Sequence, residues 1–304
     1  MKKLEKKDLI QFIKEIASHL KDKATNELVL FYLSTEILVN TLGLGWINKN
    51  SFIEPGKLTK ISREIRKFLK ADSAYGSLDR FRYQHRIIDL AQLIYNFQGI
   101  KGFEQKVELI KLGNLEDTLA EFECGEGFKR SNTKFEFIIP QNQKGSDFDI
   151  KVLILDKGQH LNCEVKAKAE NTVLRYETVL KSLKKSQSQL PANEPGMSFL
   201  KIPESWIYDQ NIATTIGDAI WKFFNNTKRV TAVVLRWERW GNANKNTQVS
   251  CAKTYKSYFN EKSKLLTNEI KKVINNIPIY NSSDWVRLAD IVKDVINSNS
   301  DRHL

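Results

Sequence analysis

The alternation of apolar and polar residues between Asp147 and Lys168 constrains the fold of this chain more than any other sequence feature. Side chains of a β-strand point alternately to its two faces, so two such runs joined by a turn predict a half-buried hairpin. The turn signal lies at Asp156 to Gly158, where a two-residue loop would pair Asp156 with Gln159. In that register one face is entirely apolar and is expected to face the core. Its members are Phe148, Ile150, Val152 and Ile154 on the first strand and Leu161, Cys163, Val165 and Ala167 on the second.

The opposite face of the predicted hairpin carries charged side chains that converge at one end. The same register places Asp149 opposite Lys166 and diagonal to Glu164. Two nearby carboxylates repel each other unless a cation lies between them, and hard oxygen ligands of this kind suit Mg²⁺ or Mn²⁺. A lysine beside such an ion can orient an attacking water or stabilise negative charge on a phosphorane. The alternative is a solvated strand face on which Asp and Lys residues form salt links.

Helical periodicity dominates the chain before this hairpin, and a mixture of strands and helices surrounds it. Apolar positions recur at helical spacing over residues 5–43 and 57–98, with no β signal before residue 133. The elements predicted after residue 102 are a helix over 103–125, strands at 134–140, 147–155 and 159–167, a helix over 172–190, a strand at 198–202, a helix over 211–225 and a strand at 230–237. This order predicts an α/β fold with a mixed central sheet. The predicted domains are an α-helical N-terminal region 1–102, an α/β domain 103–260 and a C-terminal helical tail 261–304.

The sequence from Gly145 to Asp149, followed by Glu164-Val-Lys166, resembles the motif of the PD-(D/E)xK nuclease superfamily. In that superfamily an Asp on one strand and (D/E)-x-K on the next hold the catalytic metal. The resemblance covers roughly residues 104–240 and extends to the element order, including an acidic residue on the helix before the sheet, here Glu121.

The resemblance implies a restriction-endonuclease-like fold and Mg²⁺-dependent hydrolysis of phosphodiester bonds, most readily in DNA. It implies that Asp149, Glu164 and Glu121 bind the metal and that Lys166 is the catalytic lysine. Ser146 stands where many members of the superfamily have Pro, so Asp147 is an alternative motif aspartate. A two-residue hairpin loop favours Asp149, whereas a longer or bulged turn could reverse that choice.

The charge of the chain makes a polyanion its first expected partner. It has 48 Lys and Arg against 36 Asp and Glu, a formal net charge of +12. Half of this excess lies in residues 57–86, where arginines interleave with aromatic residues in a pattern suited to phosphate contacts and stacking. The predicted nucleic-acid contacts there are Arg63, Arg66, Lys67, Arg82 and Arg86, and the resemblance adds Lys185 and Gln189 on the helix after the hairpin. A solvated amphipathic helix is the alternative interpretation of both segments.

A second functional hypothesis is a catalytically inactive protein of the nuclease fold that binds nucleic acid or serves as an assembly or interaction module. No G-x-x-x-x-G-K-[ST] loop is present, so the sequence does not support ATP-driven activity. The three cysteines include no C-x-x-C pair, and the first residues are charged where an export signal is apolar. We therefore expect a cytoplasmic protein without a membrane partner, and cleavage of both strands would favour a homodimer.

Overall fold

The computed structural model describes residues 3–51, 77–140, 145, 147–154, 158–242, 249–277, 282 and 284–300. It confirms the predicted α/β class, with a six-stranded mixed sheet. The helices are α1 (Lys6–Leu20), α2 (Asn26–Leu42), α3 (Leu44–Ser51), α4 (Ser77–Phe97), α5 (Phe103–Lys111), α6 (Leu115–Arg130), α7 (Tyr176–Gln189), α8 (Glu204–Ile207), α9 (Ile212–Asn225), α10 (Asn268–Asn276) and α11 (Leu288–Ser300). The strands are β1 (Phe135–Phe137), β2 (Ile150–Ile154), β3 (Gln159–Ala167), β4 (Gly196–Lys201), β5 (Val230–Asn242) and β6 (Val249–Phe259). None of the helices in the described ranges combines the length and apolar character needed to cross a bilayer.

Packing divides the chain into two compact units, the first formed by Met1–Leu115 with Trp285–Leu304 and the second by Glu116–Asp284. The described residues of the first unit are all helical or irregular, in agreement with the predicted α-helical region. Helix α2 contacts α1, α4 and α11. Asn96 on α4 binds the backbone of Val286, accepting from its N–H at 2.8 Å and donating to its carbonyl at 2.9 Å. These bonds hold the chain that leads into α11 against this unit.

The second unit is built on one sheet with strand order β1-β2-β3-β4-β5-β6. Strands β1, β2 and β3 form an antiparallel meander, β3, β4 and β5 are parallel neighbours, and β6 returns antiparallel to β5. Parallel neighbours require crossover connections, which α7 provides between β3 and β4, and α8 with α9 between β4 and β5. The sequence analysis did not predict β6, and it ended β5 at Trp237, five residues before its end at Asn242.

Helices cover both faces of this sheet. On one face α7, α8 and α9 bury an apolar cluster that includes Val179, Leu183 and Leu200. On the other face lies α6, whose Cys124 thiol is 3.6 Å from the Cys163 thiol of β3. The single helix predicted over 103–125 is two helices, α5 and α6, because Gly113 between them adopts a positive φ of 104° that ends the first.

The structure corrects the register of the central hairpin. Ile154 pairs with Gln159 and Ile150 with Cys163, so residues 155–158 connect the strands in place of the predicted two-residue loop. Asp149, which immediately precedes β2, therefore comes level with Glu164 rather than with Lys166. The difference is an even number of residues, so the paired side chains of Ile150–Ile154 and Gln159–Cys163 keep their predicted faces. Phe148, predicted on the face of Ile150, instead packs in the apolar cluster beneath α7, α8 and α9.

Candidate active site

Asp149 is fixed against β3 by its backbone and by its side chain. Its N–H donates to the carbonyl of Cys163 at 3.0 Å, which extends the β2–β3 ladder by one bond. Its Oδ2 accepts from the N–H of Val165 at 2.7 Å. A carboxylate that accepts a backbone N–H has little freedom to rotate, so the Asp149 carboxylate is held beside the strand that carries Glu164.

Glu164 is a fully buried acid in the middle of the sheet. Its side chain is 0% exposed, and its Oε1 accepts a hydrogen bond from Nζ of Lys166. Burial, and then the charge of Asp149, raise the pKa of Glu164 to about 9, while Lys166 acts in the opposite direction. Its Oε2 is buried and has no hydrogen-bond donor among the described residues. The charged form of the Glu164 carboxylate is therefore unfavourable unless a further cation binds beside it.

Lys166 connects this acidic pair to helix α7. Its side chain is 22% exposed, and Nζ donates both to Glu164 and, at 2.8 Å, to Oε1 of Gln189. The Gln189 amide in turn donates from Nε2 to the carbonyl of Asp147 at 3.4 Å. The last residue of α7 thus spans from β3 to the segment before β2 and fixes the position of the lysine.

The structure brings together some of the predicted site residues and not others. Asp149, Glu164, Lys166 and Gln189 lie in one cluster. Asp147 contributes its carbonyl to that cluster through Gln189. Glu121 is a buried residue of α6. Within the described ranges no three or more His, Cys, Asp or Glu side chains form a metal-binding group, so Glu121, Asp149 and Glu164 do not form the three-carboxylate set that the resemblance implies.

The predicted nucleic-acid contacts are distributed over both units. Lys185 is exposed on α7 of the second unit. Arg82 and Arg86 are half-buried on α4 of the first unit. Arg63, Arg66 and Lys67 lie outside the described residues. Gln189, predicted to contact phosphate, accepts a hydrogen bond from Lys166.

Sequence reasoning missed a second group of charged residues, on the sheet face covered by α6. Arg236 of β5 is 0% exposed and lies 3.0 Å from Glu123 and 2.8 Å from Glu238. Glu123 also pairs with Lys201 at 2.8 Å, and Glu126 pairs with Lys253 at 3.1 Å. Nothing in the sequence indicated that Glu123 and Glu126 of α6 are buried, because charged residues on a helix normally face solvent.

Comparison of the chain with protein-family models, with curated proteins and with solved structures gave no match to any of the three. The functional argument therefore rests on the residues of the site themselves.

Proposed function

We propose that this chain is a divalent-metal-dependent nuclease that hydrolyses phosphodiester bonds, most readily in DNA. The observation that carries the proposal is the cluster in which Asp149 and Glu164 approach each other beside the ammonium of Lys166. We also propose that the second unit has a restriction-endonuclease-like fold. In support, an antiparallel meander of three strands is followed by a helix and a parallel strand, with the acidic pair at the meander.

The residues present fit a hard divalent cation. Mg²⁺ is commonly held by one or two carboxylates, with waters and substrate phosphate completing its coordination. Asp149 and Glu164 supply two carboxylates, and the buried Oε2 of Glu164 is an acceptor without a donor among the described residues. A bound Mg²⁺ or Mn²⁺ there would polarise a phosphate oxygen and increase the acidity of a water.

The side chains of this chain have separable roles in the proposed reaction. Asp149 and Glu164 bind the cation, and the hydrogen bond from Val165 to Asp149 preorganises the first of them. Lys166 orients the water or stabilises the negative charge that develops on phosphorus. Gln189 positions Lys166 and needs no contact with substrate for that role.

A second candidate is a protein of the same fold that binds nucleic acid without cleaving it. It is favoured by one observation, that among the described residues no three or more His, Cys, Asp or Glu side chains form a group that could hold a metal ion. The two candidates differ in metal affinity. Calorimetric titration with Mg²⁺ or Mn²⁺ should give a heat of binding for the nuclease and none for the non-catalytic protein.

The proposal predicts that Lys166→Ala lowers the rate of plasmid nicking in Mg²⁺ at least about 100-fold, as loss of a preorganised stabilising group does in other enzymes. The matched control is Lys151→Ala, which removes a half-buried lysine from the neighbouring strand and the same sheet face. It should nick at the wild-type rate. The measurement is the rate of conversion of supercoiled to open-circular plasmid, with thermal melting to show that both variants are folded.

Glu164→Ala tests the metal-binding half of the site in the same assay. We expect loss of nicking together with loss of the heat of Mn²⁺ binding that the proposal predicts for the wild type. If the wild type binds neither Mg²⁺ nor Mn²⁺ and does not nick plasmid, the nuclease proposal fails and the non-catalytic candidate is supported.

A further inference from the structure

Helix α7 presents a straight row of polar side chains that ends at the candidate active site. Lys181, Lys185 and Gln189 are spaced by four residues, so they lie on one side of the helix. Gln189 contacts Lys166, which fixes the end of the row against the sheet. Lys181 and Lys185 are exposed. The row therefore leads from the site out along the surface.

Lys168 extends the same feature on the sheet side. Its N–H donates to the carbonyl of Lys201 at 3.0 Å, which continues the β3–β4 pairing past the end of β3. By strand alternation its side chain then shares the face of Glu164 and Lys166. The pKa of Lys168 is lowered, first by partial burial and then by the charges of Lys185, Lys166 and Lys181. These four ammonium groups thus occupy one region of the second unit.

Three of these lysines have no counter-ion among the residues that the structure describes. In the described part of the chain, Lys168, Lys181 and Lys185 form no ion pair with a carboxylate, whereas Lys166 is paired with Glu164. Glu177, one turn before Lys181, is exposed and does not pair with it. Like charges one helical turn apart are destabilising. The arrangement is unfavourable in the protein alone and becomes favourable when a polyanion lies along it.

We propose that Lys168, Lys181 and Lys185 form a phosphate track that holds a polynucleotide backbone along α7, with the phosphate to be cleaved at the Lys166 end. The identity of the polyanion rests on the proposed function. Lys181 and Lys185 are separated by about 6 Å along the helix axis, while a nucleic-acid strand carries one charge per about 3.4 Å of axis. The track therefore spans more than one phosphate, unlike the binding site of a single small anion.

The test measures binding of the full-length chain to a short fluorescent DNA duplex, and to one of its strands, over a range of salt concentrations in EDTA. Each phosphate contact contributes about 0.9 to the slope of log affinity against log salt for a duplex, and about 0.7 for a single strand. We expect Lys168→Ala to reduce the slope by about 1, and Lys181→Ala with Lys185→Ala to reduce it by about 2.

Lys184→Ala is the matched control. Lys184 is exposed on the same helix next to Lys185, but it is not among the charges that act on Lys168. Its replacement should leave the slope unchanged. Equal reductions of the slope by Lys184→Ala and by Lys185→Ala would overturn the track, because they would show that diffuse surface charge binds the DNA. An unchanged slope in the double variant of Lys181 and Lys185 would overturn it as well.

The track and the nuclease proposal fail in different ways. If the wild type does not nick plasmid but the track variants lose salt-dependent binding, the track stands and the cleavage proposal fails. If the wild type nicks plasmid and the track variants bind with the wild-type slope, cleavage stands and the track fails.

Discussion

The buried acid Glu164 couples protein stability to pH in a direction opposite to that of most surface acids. Its pKa in the folded protein is raised from 4.5 to about 9, so between those pH values the folded state holds a proton that the unfolded state releases. The free energy of unfolding therefore falls as pH rises through this window. The limiting slope for one group is about 1.4 kcal/mol per pH unit.

We expect Glu164→Gln to flatten this dependence, so that the metal-free variant gains stability over the wild type as pH rises from 5 to 9. Urea unfolding of both proteins in EDTA across that range measures the difference. Glu177→Gln is the control, because Glu177 is exposed and forms no ion pair among the described residues, so its replacement should leave the profile unchanged. Parallel wild-type and Glu164→Gln profiles would show that Glu164 ionises normally.

Two roles can be proposed for Gln189, and kinetics of the proposed nuclease would separate them. The sequence predicted a phosphate contact, for which Gln189→Ala should raise KM. The structure gives it a 2.8 Å bond to Lys166, for which the loss should fall on kcat instead. One hydrogen bond is worth about 0.5–1.5 kcal/mol, so we expect kcat to fall roughly 2- to 12-fold. Gln187→Ala is the control, since Gln187 binds Thr227 instead, and a change confined to KM would contradict the positioning role.

At the scale of secondary-structure elements, buried charge joins α6 to β4, β5 and β6. Burial lowers the pKa of Arg236, but the carboxylates of Glu123 and Glu238 raise it further, so the guanidinium stays charged inside the protein. Removing one partner of a buried ion pair costs about 3–5 kcal/mol. We expect Arg236→Met to lower the free energy of unfolding by about that amount in denaturant titrations.

Arg239→Met provides the comparison, because Arg239 is exposed three residues further along β5. Its effect on stability should lie within about 0.5 kcal/mol of zero. The double variant Arg236→Met with Glu123→Met should lose less than the sum of the single losses. Additive losses, or an Arg236→Met protein as stable as the wild type, would show that α6 is held by apolar packing alone.

The sequence predicted the character of each face of the hairpin but not the pairing of its strands. Alternation placed Glu164 and Lys166 on one face, and the structure agrees. It could not distinguish a two-residue loop from a longer connection, because both keep the same side chains together. Strand β6 was missed since its Ser, Lys and Thr residues lack the apolar run that identified β5. The Lys166–Gln189 contact depends on how α7 packs, which periodicity does not encode.

At the scale of the whole molecule, hydropathy patterns predict the elements along the chain but not which elements pack together. The elements described before β1 are all helices, as the early periodicity indicated. The last helix, α11, belongs to the same unit as α1 and α2, although residues 116–284 separate them in sequence. An amphipathic pattern shows that a helix has an apolar face without showing which surface covers it. The surface that covers α11 is fixed by contacts such as the bonds from Asn96 to Val286, which join residues 190 positions apart and form only in the folded chain.

The bond between Lys166 and Gln189 also bears on the order in which the chain folds. Glu164 and Lys166 are neighbours as soon as β3 is extended, whereas Gln189 lies 23 residues away from Lys166. Closing that loop lowers the entropy of the chain, and this cost comes before the contacts that form when α7 packs on the sheet. The contact between Glu164 and Lys166 can therefore form before Gln189 reaches Lys166, which happens only after the crossover has closed. If the chain is the nuclease proposed above, forms that lack the Lys166–Gln189 bond should be folded enough to hold Glu164 beside Lys166 and still cleave no polynucleotide.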